Sequence, residues 1–440
     1  MPTCTAPLSS AVNSAPLSAD ADPHAVLSAA VTAPVAGGGE IGYAALDYAA
    51  SAPVLRRVWD EVAGYAPLYG SVHRGAGHLS RLSTELFERS RATVAGFLGC
   101  RTDDQLWFTR STTDSLNLLA AALPAGTRVF VFETEHHAAL LPWARHGHAV
   151  TCLPTPETPE SAVRAVESAL AGAPEGPKLL CVTGASNVTG ELWPVAELTA
   201  VAHRLGARIV LDAAQLVPHR PVSVADLDVD WVAFSGHKLY APFGAGVLAG
   251  RADWLAAAPP YLAGGGATRV VSRDPHEGLR VEWADGEARH EAGSPNVIGA
   301  FAIAAACRAL TEGPGYDGLV ARERELLGTL RAGLGRLPAV TELSLFGGRS
   351  ERVAVVSFTV DGWDSAELAR ALSDRYGIGV RSGMFCAQPL VRRLLRSEGP
   401  ADDCGGALQA VRASFGAGTP DEHVQRLLDA LADLTGRPRG

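Results

Sequence analysis

From Leu46 onward, short apolar runs alternate with longer stretches in which apolar residues recur every three or four positions. This is the pattern of strands and helices in an α/β arrangement with a mostly parallel sheet. The runs predict strands over 105–109, 128–133, 178–183, 208–212, 231–235 and 246–249, and the helical spacing predicts helices over 115–123, 161–171, 195–205 and 300–310. Past residue 310 the texture changes to a charged helix (319–334), a strand (352–360), a helix (365–376) and a closing helix (421–434). Three parts are expected. Residues 1–40, rich in Ala, Pro, Ser and Thr and ending at Gly37–Gly39, form a flexible tail with too little apolar surface to offset ordering. Residues 41–310 form a large domain, and residues 311–440 a smaller C-terminal α+β domain.

Composition narrows the choice of partner. With 440 residues, 47% hydrophobic and 19% charged, the chain has material for two domains with a large core, which excludes a random coil. A net charge of −9 argues against nucleic acid or an anionic membrane, both of which need a basic face, and leaves small molecules or individual proteins. Seven scattered cysteines, among them Cys4, Cys386 and Cys404, include no CxxC and are odd in number, as expected of reduced thiols in a cytoplasmic protein without a zinc site. The N-terminus carries no basic residue before His24 and no apolar signal segment, and the apolar helix around Ala300–Ala306 is too short to span a bilayer. Only two of the 38 basic Lys and Arg side chains are lysines, Lys178 and Lys238.

In an open α/β sheet, ligands bind beyond the carboxyl ends of the strands, so the residues that follow each run carry the chemistry. After LWFT comes Arg110-Ser111-Thr112-Thr113-Asp114, with hydroxyls and free N–H groups at a helix start suited to a phosphate. The next three runs are followed by Glu133-Thr134-Glu135-His136-His137, by Gly184-Ala185-Ser186-Asn187, and by Asp212-Ala213-Ala214-Gln215. The run WVAF ends in Ser235-Gly236-His237-Lys238. Taken singly, each group has a plain structural use as a helix cap, turn former or surface loop. Together they meet the needs of pyridoxal phosphate: a lysine for the aldehyde, a hydroxyl and N–H cradle for the phosphate, and a carboxylate that keeps the ring nitrogen protonated. Lys238, after a strand, suits the aldehyde. Lys178 begins a strand, and a solvated place at the opposite edge of the sheet is expected for it.

At this point the chain resembles the class V aminotransferase-fold enzymes, and within them the SufS-type (group II) cysteine desulfurases and selenocysteine lyases. The resemblance runs from about residue 46 to 434 through LDYAASAP (46–53), YGSVHRGAGHLS (69–80), FTRSTTDSLNL (108–118), ETEHHAALLPW (133–143), ASNVTGE (185–191), LDAAQLVPH (211–219), SGHKLYAPFGAGVL (235–248), EAGSPN (291–296), VRSGMFCAQPL (380–390) and RASF (412–415). It implies the fold type I of pyridoxal phosphate-dependent transferases, with a mostly parallel seven-stranded sheet and a small domain carrying a cysteine loop and a substrate arginine. It further implies that Lys238 is the Schiff-base lysine, that Asp212 pairs with the ring nitrogen, and that Gln215 donates to the ring oxygen. His136 would stack on the ring and assist proton transfer. Thr112, Thr113, Ser235 and His237 would hold the phosphate, and Ser294 would reach the phosphate of a neighbouring subunit in a homodimer. Asn187 would lie near the ring oxygen and the substrate, and Arg412 would take the substrate carboxylate.

Cys386 decides the reaction, because in the desulfurases a mobile thiolate takes the sulfur of bound cysteine and leaves alanine and an enzyme persulfide for an acceptor protein. The chain departs from the family pattern at Met384-Phe385, where histidine is usual. It also departs in a longer stretch between Cys386 and Arg412 that holds Cys404, and in Gly416-Ala417-Gly418-Thr419 after RASF. The sequence leaves open selenocysteine lyase, C–S β-lyase, and aminotransferase or epimerase activity on another amino acid. It also leaves open a non-catalytic scaffold that binds a sulfur carrier.

Overall fold

The computed structural model describes residues 22, 24–274, 278–395 and 409–436. Seven strands form the main sheet: β1 (Asp104–Thr109), β2 (Arg128–Phe132), β3 (Ala149–Leu153), β4 (Lys178–Thr183), β5 (Ala207–Asp212), β6 (Trp231–Ser235) and β7 (Gly246–Arg251). Their spatial order is β1-β7-β6-β5-β4-β2-β3, with β7 antiparallel to β1 and β6 and every other pairing parallel. Strands β2, β4, β5 and β6 read as unbroken apolar runs because helices cover both faces of the sheet. Strand β3, at the edge, exposes Ala149–Cys152 and so lacks the run that marks the others. Its sequence AVTCL falls outside the six expected strands.

Helix Val297–Thr311 is apolar all round, with twelve of its fifteen residues buried, and packs between helices Arg56–Tyr65 and His78–Phe97. Apolar residues Leu82, Leu86, Phe87 and Val94 on one side of His78–Phe97 carried a helical period that could have been read from the sequence. No single helix among the described residues is long and apolar enough to cross a membrane.

Four antiparallel strands build the second sheet: β8 (Val340–Glu342), β9 (Val355–Val360), β10 (Arg381–Gly383) and β11 (Ala410–Ser414), in the order β8-β9-β11-β10. Side chains alternate across a strand. Val411 and Ala413 therefore enter a core shared with helices Gly315–Leu334, Ser365–Tyr376 and Asp421–Gly436, while Arg412 and Ser414 lie on the opposite face. Ala44 and Leu46 also fall in this second core, so the chain packs there before it enters the main sheet.

Within the stretch expected to be a free tail, Leu27–Ala30 forms a short 3-10 turn and Thr32–Pro34 pairs antiparallel with Glu40–Gly42. Gly37, Gly38 and Gly39, all at positive φ, turn the chain between those strands, and Ala36 N–H donates to the Asp374 carbonyl at 2.6 Å. Leu27 N–H also donates to the Val54 carbonyl at 2.9 Å and Arg56 N–H to the Ala25 carbonyl at 2.8 Å, and Val26 is buried in the main core, so backbone pairing and docking together order the segment. Residues 1–21, with Cys4, and the insertion with Cys404 lie outside the described residues.

Lys178 also differs from its expectation. It starts β4, an interior strand flanked by β2 and β5, so it is buried and its Nζ donates to the Leu205 carbonyl at 3.3 Å.

Candidate active site

The carboxyl ends of β1, β2, β4, β5 and β6 open into one cavity of about 390 Å³. Eleven of the twelve residues singled out from the sequence line it. The exception is Ser294, which lies in a second cavity of about 340 Å³ with Arg74, Arg91 and Glu291.

The start of helix Thr112–Ala122 forms one wall. Ser111 caps this helix, its Oγ accepting from Asp114 N–H at 3.3 Å, so Thr112 and Thr113 sit in the first turn. Thr112 donates its N–H to Ser235 Oγ at 2.7 Å, and the two hydroxyls are also 2.7 Å apart. A short β1-to-helix turn and the end of β6 thus place two hydroxyls at a helix N-terminus, where the partial positive charge favours an anion. Gly246 faces this turn, and a Cβ there would come within 2.6 Å of Ser111 Cα.

Opposite charges face each other across the floor. Asp212 ends β5 and its Oδ1 accepts from Ala214 N–H at 2.9 Å. Burial raises its pKa, while that N–H and Lys238 work against the rise. Lys238 ends a 3-10 turn after β6, and burial pulls its amine down to about 8 against the pull of Asp212. Burial and the Lys238 charge also lower His237.

His136 caps helix His137–Leu140, with Nδ1 accepting from Ala138 N–H at 3.0 Å. That bond leaves the ring proton on Nε2. Burial, with Lys238, His137 and Arg412 nearby, brings His136 down to about 4, so the ring is neutral at physiological pH. Beside it stands Glu135, a group sequence reasoning passed over. It is fully buried and raised well above the usual carboxylate range by burial and by Asp212, with Oε1 accepting from Thr183 N–H at 3.2 Å. Gln215 donates its amide to the Ala49 carbonyl at 2.7 Å.

The second sheet and the loop after β10 close the other side. Arg412 Nη1 donates to the Asn187 carbonyl at 2.9 Å and Nη2 to Asp47 Oδ1 at 3.2 Å, while its buried Nε has no hydrogen-bond partner. The guanidinium lies 4.9 Å from the Phe385 ring centre. Asn187 Nδ2 donates to the Phe385 carbonyl at 2.8 Å, and His137 N–H to the Cys386 carbonyl, also at 2.8 Å. Phe385 and Cys386 have φ of +53° and +54°, a left-handed bend that costs non-glycine residues on the order of 1–2 kcal/mol each. Held at both carbonyls, the bend leaves Cys386 exposed at the cavity.

The turn after β4 ties the main sheet to the second sheet and the residues leading into it. Its successive carbonyls, Asn187, Val188 and Thr189, accept from Arg412, from Ser357 Oγ (2.5 Å) and from Arg352 Nη1 (2.9 Å), and Gly190 accepts from Val353 N–H (2.8 Å). Gly190 has φ of +73°, and a Cβ there would run into the Val355 and Val353 carbonyls. Glu191, buried, accepts from Ser344 Oγ and from Leu345 and Phe346 N–H at 2.6–3.0 Å, and pairs with Arg352 at 3.3 Å.

The donor set fits pyridoxal phosphate: a buried amine near 8, a carboxylate held in low dielectric, hydroxyls at a helix start and a neutral imidazole. Among the described residues, no group of three or more His, Cys, Asp or Glu could hold a metal ion.

Comparison with known proteins agrees with this architecture. Residues 44–427 match the aminotransferase class-V family. The chain is 36% identical over 398 residues to a cysteine desulfurase of Pectobacterium atrosepticum, covering 88% of this chain and 91% of that one. It is 34% identical to a probable cysteine desulfurase of Vibrio cholerae, covering 88% and 92%. The apo structure of a cysteine desulfurase from Thermococcus onnurineus superposes with a TM-score of 0.78 at 32% identity, over 90% of this chain and 95% of that chain. The cysteine desulfurase CsdA of Escherichia coli follows with 0.75 at 29%, over 89% and 95%. With the match running through both sheets and across every strand end that lines the cavity, the chain belongs to the class-V aminotransferase family.

Proposed function

We propose that the chain is a pyridoxal phosphate-dependent cysteine desulfurase that converts L-cysteine to L-alanine and holds the sulfur as a persulfide on Cys386. The observation that carries this reading is an exposed thiol, on a bend fixed at both carbonyls, over the same cavity as Lys238 and Asp212. A cysteine serving only to fill space would be buried, as Cys181 and Cys307 are.

In this reading Lys238 holds the cofactor aldehyde, Asp212 faces the ring nitrogen, and Thr112, Thr113, Ser235 and His237 hold the phosphate. His136 would cover the ring, and Gln215 and Asn187 would hold the ring oxygen. When bound, pyridoxal phosphate supplies the electron sink that labilises bonds at the substrate Cα and Cβ. Lys238, with an amine near 8, carries a proton to or from the substrate carbon at neutral pH. His136 presents a neutral Nε2–H, and Arg412 binds the α-carboxylate.

Cys386 Sγ attacks the substrate sulfur. The Cβ–S bond breaks, an S–S bond forms, and the thiol proton balances the hydrogen gained at Cβ, so L-cysteine and the thiol give L-alanine and the persulfide with no outside oxidant. An exposed position suits transfer to an acceptor protein.

Further parts of the proposal have their own support. Ser294 lies outside the main cavity, and the stacked Trp59 and Phe243 and hairpin residues Val270, Val271 and Leu279 are exposed, as a homodimer sharing its sites would use them. The second hydrophobic core, drawn from residues beyond 311 together with Ala44 and Leu46, supports a small domain there. The five described cysteines are free, in keeping with a cytoplasmic location.

The test is an amino-acid screen that scores alanine, sulfide and keto acid together on the holoenzyme and on Cys386→Ser. L-cysteine should give alanine, and persulfide labelling should vanish in the variant while the cofactor absorbance stays. Undiminished turnover and labelling in Cys386→Ser would overturn the assignment, and keto acid as the main product would make the chain a transaminase.

A further inference from the structure

We propose that Asp47 is a positioning residue that sets how tightly Arg412 binds a substrate carboxylate, by occupying part of the same guanidinium. This rests on reading Arg412 as the α-carboxylate receptor.

Arg381 and Arg412 are direct register partners on β10 and β11. Like charges opposite each other on paired strands repel. The Asp47 carboxylate spans them: Oδ1 is 3.2 Å from Arg412 Nη2, and Oδ2 is 3.9 Å from Arg381 Nη1. Its place is built into the backbone. Ser414 N–H donates to the Leu46 carbonyl at 2.8 Å, Tyr48 N–H to the Ser414 carbonyl at 3.3 Å, and Ala49 N–H to Ser414 Oγ at 2.9 Å. Asp47 is therefore clamped beside the strand that carries Arg412.

Two arginines and one aspartate leave a net charge of +1 at the rim of the cavity, enough for one further carboxylate. Arg412 is buried and its Nε unpartnered, so without Asp47 its charge would have no carboxylate partner among the described residues until a ligand arrived. Cysteine and alanine carry the same α-carboxylate, and an arginine free to bind it as tightly as possible would hold product as well as substrate. Asp47 keeps the guanidinium oriented while weakening its grip.

The test titrates the holoenzyme calorimetrically with L-alanine and with ethylamine, which lacks the carboxylate. Asp47→Asn should bind L-alanine about tenfold more tightly with ethylamine unchanged, and should lower KM for L-cysteine without raising kcat. Asp47→Glu, which keeps the charge, should stay near wild type. Arg381→Gln, at an exposed side chain, should weaken L-alanine selectively, and it serves if Asp47→Asn does not fold. An L-alanine affinity unchanged or weakened in Asp47→Asn, or unchanged in Arg381→Gln, overturns the proposal, as does a wild type that does not prefer L-alanine to ethylamine. Failure of the desulfurase assignment shows separately, as absence of alanine from L-cysteine in the wild type.

Discussion

The groups at the strand ends and the Cys386 bend face the same cavity but are held in opposite ways. Asp212, Gln215 and Ser235 are buried on a sheet covered on both sides, so their charges and dipoles act in low dielectric, and the neighbouring Lys238 and His136 are brought to about 8 and about 4. Cys386 is exposed, on strained backbone, and tied down through main-chain carbonyls with its own side chain left free. A group that tunes a bound molecule gains from rigidity and dry surroundings. One that must pass its cargo to another protein gains from exposure. The contrast makes predictions of graded size.

The largest effect belongs to the buried side. Lys238→Ala should lower L-cysteine turnover by about 10⁴-fold or more and remove the borohydride-sensitive absorbance of the holoenzyme, as expected when the one group of its kind is deleted. A variant that kept both would break the assignment of the cavity.

Next comes stability. Arg352→Ala leaves Glu191 buried without its cation and should cost about 3–5 kcal/mol in denaturant unfolding. Cys386→Ala, which removes only an exposed side chain, should stay within about 0.5 kcal/mol. Equal costs would remove the contrast between the two regions.

A pH series sharpens the electrostatic half. The Lys238 amine is lowered to about 8, so it becomes neutral as pH rises through that value. Capture of added pyridoxal phosphate by the apoprotein should speed up about tenfold from pH 7 to 9 and then level off. An unshifted lysine would go on gaining past pH 10. His136, near 4, is neutral throughout and should add no step in that window.

The smallest effect is expected at the other lysine. Lys178→Arg should leave turnover within about twofold, since its amine bonds to the Leu205 carbonyl at the end of the sheet away from the cavity.

How much could be read in advance follows the same division. Groups directly after apolar runs were legible, because the sheet forces them to one edge, and all five such segments meet at the cavity. Edge strand β3 was not, because its exposed residues carry no apolar run. Nor was Asp47, whose role depends on register with a strand some 365 residues further on. The burial of Lys178 depended on knowing which strands flank β4. Ser111, the true helix cap, was legible as a motif member but indistinguishable from the threonines beside it. Glu135 gave no signal because its burial is tertiary.

The four carbonyls from Asn187 to Gly190 act as a row of rivets between the turn after β4 and the second sheet with the residues leading into it. A hinge rotation would have to shear all four bonds at once, at roughly 0.5–1.5 kcal/mol each, and unseat the Glu191 clasp behind them. Opening there would therefore cost roughly 2–6 kcal/mol in hydrogen bonds alone.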